Sequence, residues 1–174
     1  MAAADEPEQT HPPLTSRGHA LIIGNSAYPA HDAVAPPVSD EERATEAACR
    51  TDAEAVAEFA RQRCSLTTHE VLDATTADML TAIEAWASRI EPKGLAMLYY
   101  SGRGVDDTGD LTMYGCETKA QAEEANCSSV AMSEVLTIVT ETVGPSGATV
   151  VVLLDCSRRT GVGAGVLERG VASA

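Results

Sequence analysis

Apolar positions along the chain fall into two alternating kinds of segment. Ala20 to Ile23 is a short unbroken apolar run closed by Gly24-Asn25, the form of a strand buried on both faces. Beyond a proline-bearing loop, Ser39 to Glu42 has capping-box spacing, and Cys49, Ala53, Val56 and Ala60 recur at helical intervals up to Arg63. This predicts a first helix within residues 40–63. Ser65 to Leu72 reads as a second strand. Thr75-x-x-Asp78 then caps a helix whose Met79, Leu80, Ile83, Trp86, Ala87 and Ile90 share one face, and Pro92-Lys93-Gly94 stops it. Leu95 to Tyr100 predicts a third strand, Met132 to Val143 a third helix ended by Gly144-Pro145, and Val150 to Leu154 a fourth and most apolar strand. Between Val105 and Ser129 the chain is rich in Gly and acids, with Leu111 to Cys116 forming a small hairpin arm.

Strand and helix alternating in this way predict an α/β fold: a mainly parallel sheet of about four strands with helices on both faces, joined by right-handed crossovers. The polar clusters Gly24-Asn25, Ser101-Gly102-Arg103-Gly104 and Asp155-Cys156-Ser157-Arg158 each follow an apolar strand at its carboxyl end. In open α/β sheets that edge holds the ligand crevice. A chain of 174 residues has room for one domain, expected over residues 17–160. Residues 1–16, acidic and proline-bearing with Leu14 as their one sizeable apolar residue, read as a loose tail, and the Gly-rich residues 161–174 as a flexible one. The run Gly161-Val162-Gly163-Ala164-Gly165 lacks the Lys-Ser/Thr ending and following helix of a phosphate loop.

Charge and composition narrow the chemistry. With 12 basic and 26 acidic residues the chain carries −14, which opposes nucleic acid and an anionic membrane surface alike. Aromatic residues make up 3%, so base-stacking platforms are poorly supplied. The cysteines at 49, 64, 116, 127 and 156 show neither CxxC nor Cys/His spacing, and read as free thiols with no metal site and no cofactor. No basic-then-apolar leader and no long apolar run is present, so the expected setting is intracellular and cytoplasmic.

Four blocks carry a resemblance. Arg17-Gly18-His19-Ala20-Leu21-Ile22-Ile23-Gly24-Asn25, Cys49-Arg50-Thr51-Asp52-Ala53, Tyr99-Tyr100-Ser101-Gly102-Arg103-Gly104-Val105 and Leu154-Asp155-Cys156-Ser157-Arg158 occur in the order and spacing of the large-subunit region of the caspase and metacaspase superfamily of cysteine peptidases. The chain resembles that superfamily over about residues 17–160, and the Cys-x-x-Asp block resembles its metacaspase side. The resemblance implies a three-layer caspase-like sandwich. It also places Arg103 where the family has its His base and Ser157 where it has its Cys nucleophile. Arginine keeps its proton at any working pH and cannot act as a general base, so the implied protein is a pseudo-peptidase that acts through a protein partner or a second copy of itself. The alternative is an endopeptidase cleaving after Arg or Lys, with Ser157 or Cys156 as nucleophile and a remote base such as His31. A one-residue shift along a strand turns a side chain to the other face, which argues against Cys156.

The resemblance further implies a pocket for a basic side chain, made by Cys49, Asp52, Ser101 and Asp155. A calcium site is not expected, because Asp110 alone falls near an expected acid and the paired acid is replaced by the stretch Ser129 to Ser133. The family's small-subunit strands are not matched, so Val150 to Leu154 is expected at an open sheet edge available for pairing. Finally, Arg103 and Asp155 end neighbouring strands, which predicts that Arg103 pairs with Asp155 or Asp52 and lies partly in the pocket.

Overall fold

The runs that are apolar on both sides take the centre of the sheet. The computed structural model describes residues 18–30, 33–35, 37–107, 109–144, 147–160 and 171–173. The expected tail 1–16 and most of the tail 161–174 lie outside them. Strand β1 (His19–Gly24) is buried from Ala20 onward and pairs in parallel with β2 (Thr67–Leu72) on one side and β3 (Leu95–Asp107) on the other. Strand β2, whose Thr67 and His69 are exposed, has the alternating character of an edge. On the far side of β3 runs β6 (Thr149–Thr160), also parallel. These four parallel strands are joined by three antiparallel ones: β4 (Asp110–Met113) on the far end of β3, β5 (Val130–Ala131) on β4, and β7 (Val171–Ser173) on β6.

Two expectations are corrected here. The strands were expected to stop at Tyr100 and Leu154, but β3 and β6 run on in register through the polar clusters, from Leu95 opposite Thr149 to Asp106 opposite Thr160. A ladder is made by backbone groups, so polar side chains do not end it where two chains continue side by side. The Val150 to Leu154 segment is also no open edge, because Val151, Val152 and Leu153 face Ser173, Ala172 and Val171 across the β6–β7 pair.

Helices cover both faces. Helix α1 (Asp40–Arg63) presents Ala53, Ala57 and Ala60 to Ala20, Ile22, Met97 and Tyr99. Those small residues bring the helix down so closely that a Cβ at Gly24 would lie 2.6 Å from Ala53 Cβ. On the opposite face, α2 (Thr76–Ala87) and α4 (Met132–Val143) bury Met79, Ile83, Trp86, Val135 and Val139 against Leu21, Ile23, Leu98 and Tyr100. Burying each large apolar side chain contributes about 1.5–3 kcal/mol.

Local signals fix the helix starts. Thr75 and Asp78 form the capping box that the sequence predicts, and the buried Glu117 carboxylate accepts the Thr76 amide at 3.0 Å beside its hydroxyl, a favourable charge at a helix N-terminus. Helix α3 (Lys119–Ala125), capped in the same way by Thr118 and Gln121, was not predicted, since it buries only Ala122 and so shows no apolar period.

Candidate functional site

The carboxyl edge of the parallel strands is pinned from within. Asn25, fully buried just after β1, gives its backbone amide to the Ser101 carbonyl at 2.8 Å. Its side chain accepts the Ala74 amide at 3.0 Å and donates to the Tyr114 carbonyl at 3.1 Å. Asn25 therefore joins β1, the start of α2 and the segment after β4, and its role is structural.

Arg103 sits on this edge in the middle of β3 and is 7% exposed. Its guanidinium meets Glu46 of α1 through both carboxylate oxygens, with Nη2 to Oε2 at 3.0 Å, and lies over the Tyr28 ring at 4.2 Å from the centroid. The backbone is held too: the Arg103 amide donates to Tyr28 Oη at 2.7 Å, and the Arg103 carbonyl accepts from Tyr100 Oη at 2.7 Å. Gly102 makes this approach possible, because a Cβ there would lie 2.6 Å from the Tyr100 hydroxyl and 2.7 Å from that of Tyr28. Burial raises the pKa values of both tyrosines well above the ordinary tyrosine value, so they act as neutral donors and acceptors. The expected pairing of Arg103 with Asp155 or Asp52 is thus replaced by one with Glu46. The reason is reach: α1 crosses this face closely enough to bring Glu46 against the strand.

Register places Ser157 of β6 directly opposite Arg103. The two positions singled out in the sequence are neighbours on adjacent strands. Cys156 packs against the Leu98–Tyr100 side of the sheet with the α2/α4 core, whereas Asp155 lies on the α1 side with Tyr99. The one-residue shift does turn Cys156 away. His31 lies outside the described residues.

The acid cluster lies beside the Arg103–Glu46 pair, with no ion pair between Arg103 and either of its aspartates. Ser101 is buried and in register with Asp155, whose Oδ2 accepts from Tyr99 Oη at 3.3 Å. On α1, Cys49 is buried and Asp52 exposed. Burial pushes the Cys49 thiol up; the Ser101 hydroxyl beside it works the other way, while the charges of Glu46, Asp155 and Asp52 add to the rise. Tyr99 is likewise raised, by burial first and then by Asp155 and Asp52. The four residues expected to form a pocket therefore lie within electrostatic reach of one another, and neither Asp52 nor Asp155 has a cationic partner among the described residues. Asp110 is engaged elsewhere: it accepts the Ser133 amide at 3.1 Å and the Ser133 hydroxyl at the start of α4. No group of three or more candidate metal ligands occurs among the described residues.

Sequence reasoning missed Glu46 and Tyr28. Glu46 carried a signal, since it precedes Cys49, Ala53, Ala57 and Ala60 on the buried stripe of α1, where an acid demands a partner. Tyr28 stands in a loop with no period to reveal it.

The family model described as "Caspase domain" matches residues 17–172. Among curated proteins the chain is similar to the mucosa-associated lymphoid tissue lymphoma translocation protein 1 homolog of Mus musculus, at 25% identity over 155 residues. That match takes in 89% of this chain but 17% of the relative, so the chain spans less than a fifth of the curated protein it matches. A crystallised structural-genomics protein of Geobacter sulfurreducens shares the fold with a TM-score of 0.50 at 23% identity, over 82% of this chain and 50% of that one. No helix among the described residues is long and apolar enough to cross a membrane.

Proposed function

The chain belongs to the caspase domain family, and from that premise we propose that it is a member that binds rather than cleaves, holding a basic side chain of a protein partner in its acid cluster. One observation carries the reading: Arg103, which the resemblance sets at the position of the family's base, is an arginine held by Glu46 and the Tyr28 ring. A guanidinium holds its proton at any working pH, so it cannot take one from a nucleophile. A hydroxyl needs such a base more than a thiol does, and Ser157 has Arg103 as its register partner. Cys156, on the other face with the α2/α4 core, is no substitute.

Asp52 and Asp155, with Cys49 and Ser101 beside them, supply negative charge and hydrogen-bond acceptors with no ion pair to a cation among the described residues. That set suits a lysine or arginine side chain of a partner protein, or of a second copy of this chain. Charge-assisted hydrogen bonds to it would be roughly twice as strong as neutral ones. Peptidase chemistry after Arg or Lys is the rival, and no observation of the site favours it.

Two measurements decide. Fluorogenic peptides ending in Arg or Lys should not be turned over, with or without calcium, and a basic chloromethyl ketone should leave Cys156 unlabelled. Turnover or labelling overturns the reading. In calorimetric titration a basic peptide should bind, and Asp155→Asn should weaken it by about tenfold, about 1.4 kcal/mol. Equal binding by the variant removes the pocket from the proposal.

A further inference from the structure

The opposite edge of the sheet, at the amino ends of β1 and β2, holds a second feature. A cavity of about 110 Å³ lies between these strands and the end of α2, lined by His19, Thr67, His69, Trp86 and Arg89 among others. Its size exceeds the roughly 15 Å³ that admits one water and falls short of the roughly 300–1,000 Å³ of drug-sized pockets, which suits a small polar group.

The cavity's chemistry is unusual for this molecule. On a chain of net charge −14, no acidic residue lines it. The charged or titratable groups around it are His19 from β1, His69 from β2 and Arg89 just beyond α2. In the β1–β2 register, Leu21 faces His69 and His19 faces Thr67, so both histidines stand on the same side of the sheet. None of the three side chains makes a hydrogen bond or an ion pair with another described residue. The backbone that carries His19 and Arg89 is held in place. The Arg89 amide donates to the Trp86 carbonyl at 3.0 Å, and Trp86 Nε1 donates to the His19 carbonyl at 3.2 Å, which ties the end of α2 to the start of β1. The indole forms a wall whose own donor is satisfied, leaving two imidazoles, a guanidinium and the Thr67 hydroxyl to face the space.

We propose that this cavity binds a small oxyanion, a phosphate or carboxylate group. The permanent charge of Arg89 disfavours a metal cation between the two imidazoles, and the same guanidinium presents a planar fork of donors that matches an oxyanion. The site lies at the opposite ends of the strands from the acid cluster, and it stands or falls independently of the binding function proposed there.

Trp86 is the chain's single tryptophan and lines this cavity, so its emission is sensitive to what binds there. Inorganic phosphate is titrated into the full chain near pH 6.5, the ordinary histidine pKa, at ionic strength held constant with chloride, and acetate is run in parallel. Phosphate should give a saturable change in Trp86 emission and move the imidazole resonances of His19 and His69. Arg89→Gln should raise the half-saturating concentration about tenfold, His69→Gln should raise it several-fold, and Arg89→Lys, which keeps the charge but loses the fork, should fall between Arg89→Gln and the unaltered chain. Both positions are solvent-exposed, so unchanged melting in the absence of phosphate will show that the variants fold. Stronger binding of phosphate than acetate assigns a phosphate group, and equal binding assigns a carboxylate. A response absent at constant ionic strength, one that Arg89→Gln and His69→Gln leave as it was, or a saturable response to zinc in place of phosphate overturns the proposal.

Discussion

Glu46 and Asp52 stand less than two turns apart on the same helix, yet they occupy opposite physical regimes. Glu46 is 5% exposed, faces a buried guanidinium and has an aromatic ring on that cation's other side. Asp52 is exposed, has no ion pair among the described residues, and acts on its neighbours through its field alone. The difference shows how one helix over one sheet edge can hold one acid as structure and leave another open. Where the acid is buried, the arginine opposite it is fixed as part of the structure. Where the acids are open, charge stays available to something outside the chain.

The largest expected effect comes from breaking the buried pair. Glu46→Ala leaves the Arg103 charge without its carboxylate in a position 7% exposed, and should cost about 3–5 kcal/mol in urea unfolding. Replacing both partners, Glu46→Leu with Arg103→Met, should recover most of that loss, since a buried pair is often matched by apolar residues of similar volume. Asp52→Ala should change stability by no more than about 0.5 kcal/mol. Equal losses for the two acids would erase the contrast.

The next effect sharpens it from the Tyr28 side. Tyr28→Phe keeps the ring under the guanidinium but removes the oxygen that accepts the Arg103 amide at 2.7 Å. A buried donor left without a partner costs about 1–3 kcal/mol. The variant should fall in that range, below Glu46→Ala, and an unchanged midpoint would mean that the hydroxyl contributes nothing to holding β3.

Much of this edge was legible beforehand, and the reasons differ by residue. The four parallel strands and three of the helices followed from unbroken apolar runs and helical spacing, because burial on both faces writes itself into composition. The family blocks placed Arg103 and Ser157, which the fold makes register partners. What the sequence did not reveal was the partner of Arg103. A contact between residues 46 and 103 depends on how closely α1 lies on β1, which the small residues Gly24 and Ala53 decide and no one-dimensional pattern states. The extension of β3 and β6 was hidden for a related reason: it rests on two backbones running together, to which the side chains give no clue.

The pH limbs of stability report on groups whose ionisation the fold controls. Asp73 accepts the Ser26 and Ala27 amides at 2.8 and 2.9 Å and pairs with Arg50 at 3.2 Å. Burial alone would push its carboxyl up, but these bonds and the Arg50 charge outweigh that and hold it below the usual carboxylate range. Its contribution is therefore present above the unfolded carboxyl pKa of about 3.9 and is lost as pH falls through the lower folded value. Asp73→Asn should flatten the acid limb of the unfolding curve. At the other extreme, burial pushes Cys116 from 9.0 up to about 12, with Asp73 and Glu117 adding to the rise. A raised thiol pKa means stability present below the unfolded value and lost as pH climbs toward the folded one, so Cys116→Ser should flatten the alkaline limb between about pH 9 and 12.

The smallest effect is the most direct test of the open acids. The Cys49 thiol is raised by burial first, then by Glu46, Asp155 and Asp52 in that order, with the Ser101 hydroxyl opposing. Removing one of those charges must lower the thiol's pKa, because the thiolate is then repelled less. Alkylation of Cys49, followed by peptide mass spectrometry against pH, should therefore shift to lower pH in Asp52→Asn. Asp155→Asn should shift it further, since Asp155 acts more strongly on the sulfur. Both shifts should shrink in high salt, and the Asp52 shift should shrink more, because an exposed charge is screened where a half-buried one is not. Glu46 cannot be used for this comparison, as its loss uncouples Arg103 and disturbs the fold. If neither aspartate moves the alkylation profile, the acids do not share a field with Cys49, and the cluster that is proposed to hold a basic side chain is four separate residues rather than one site.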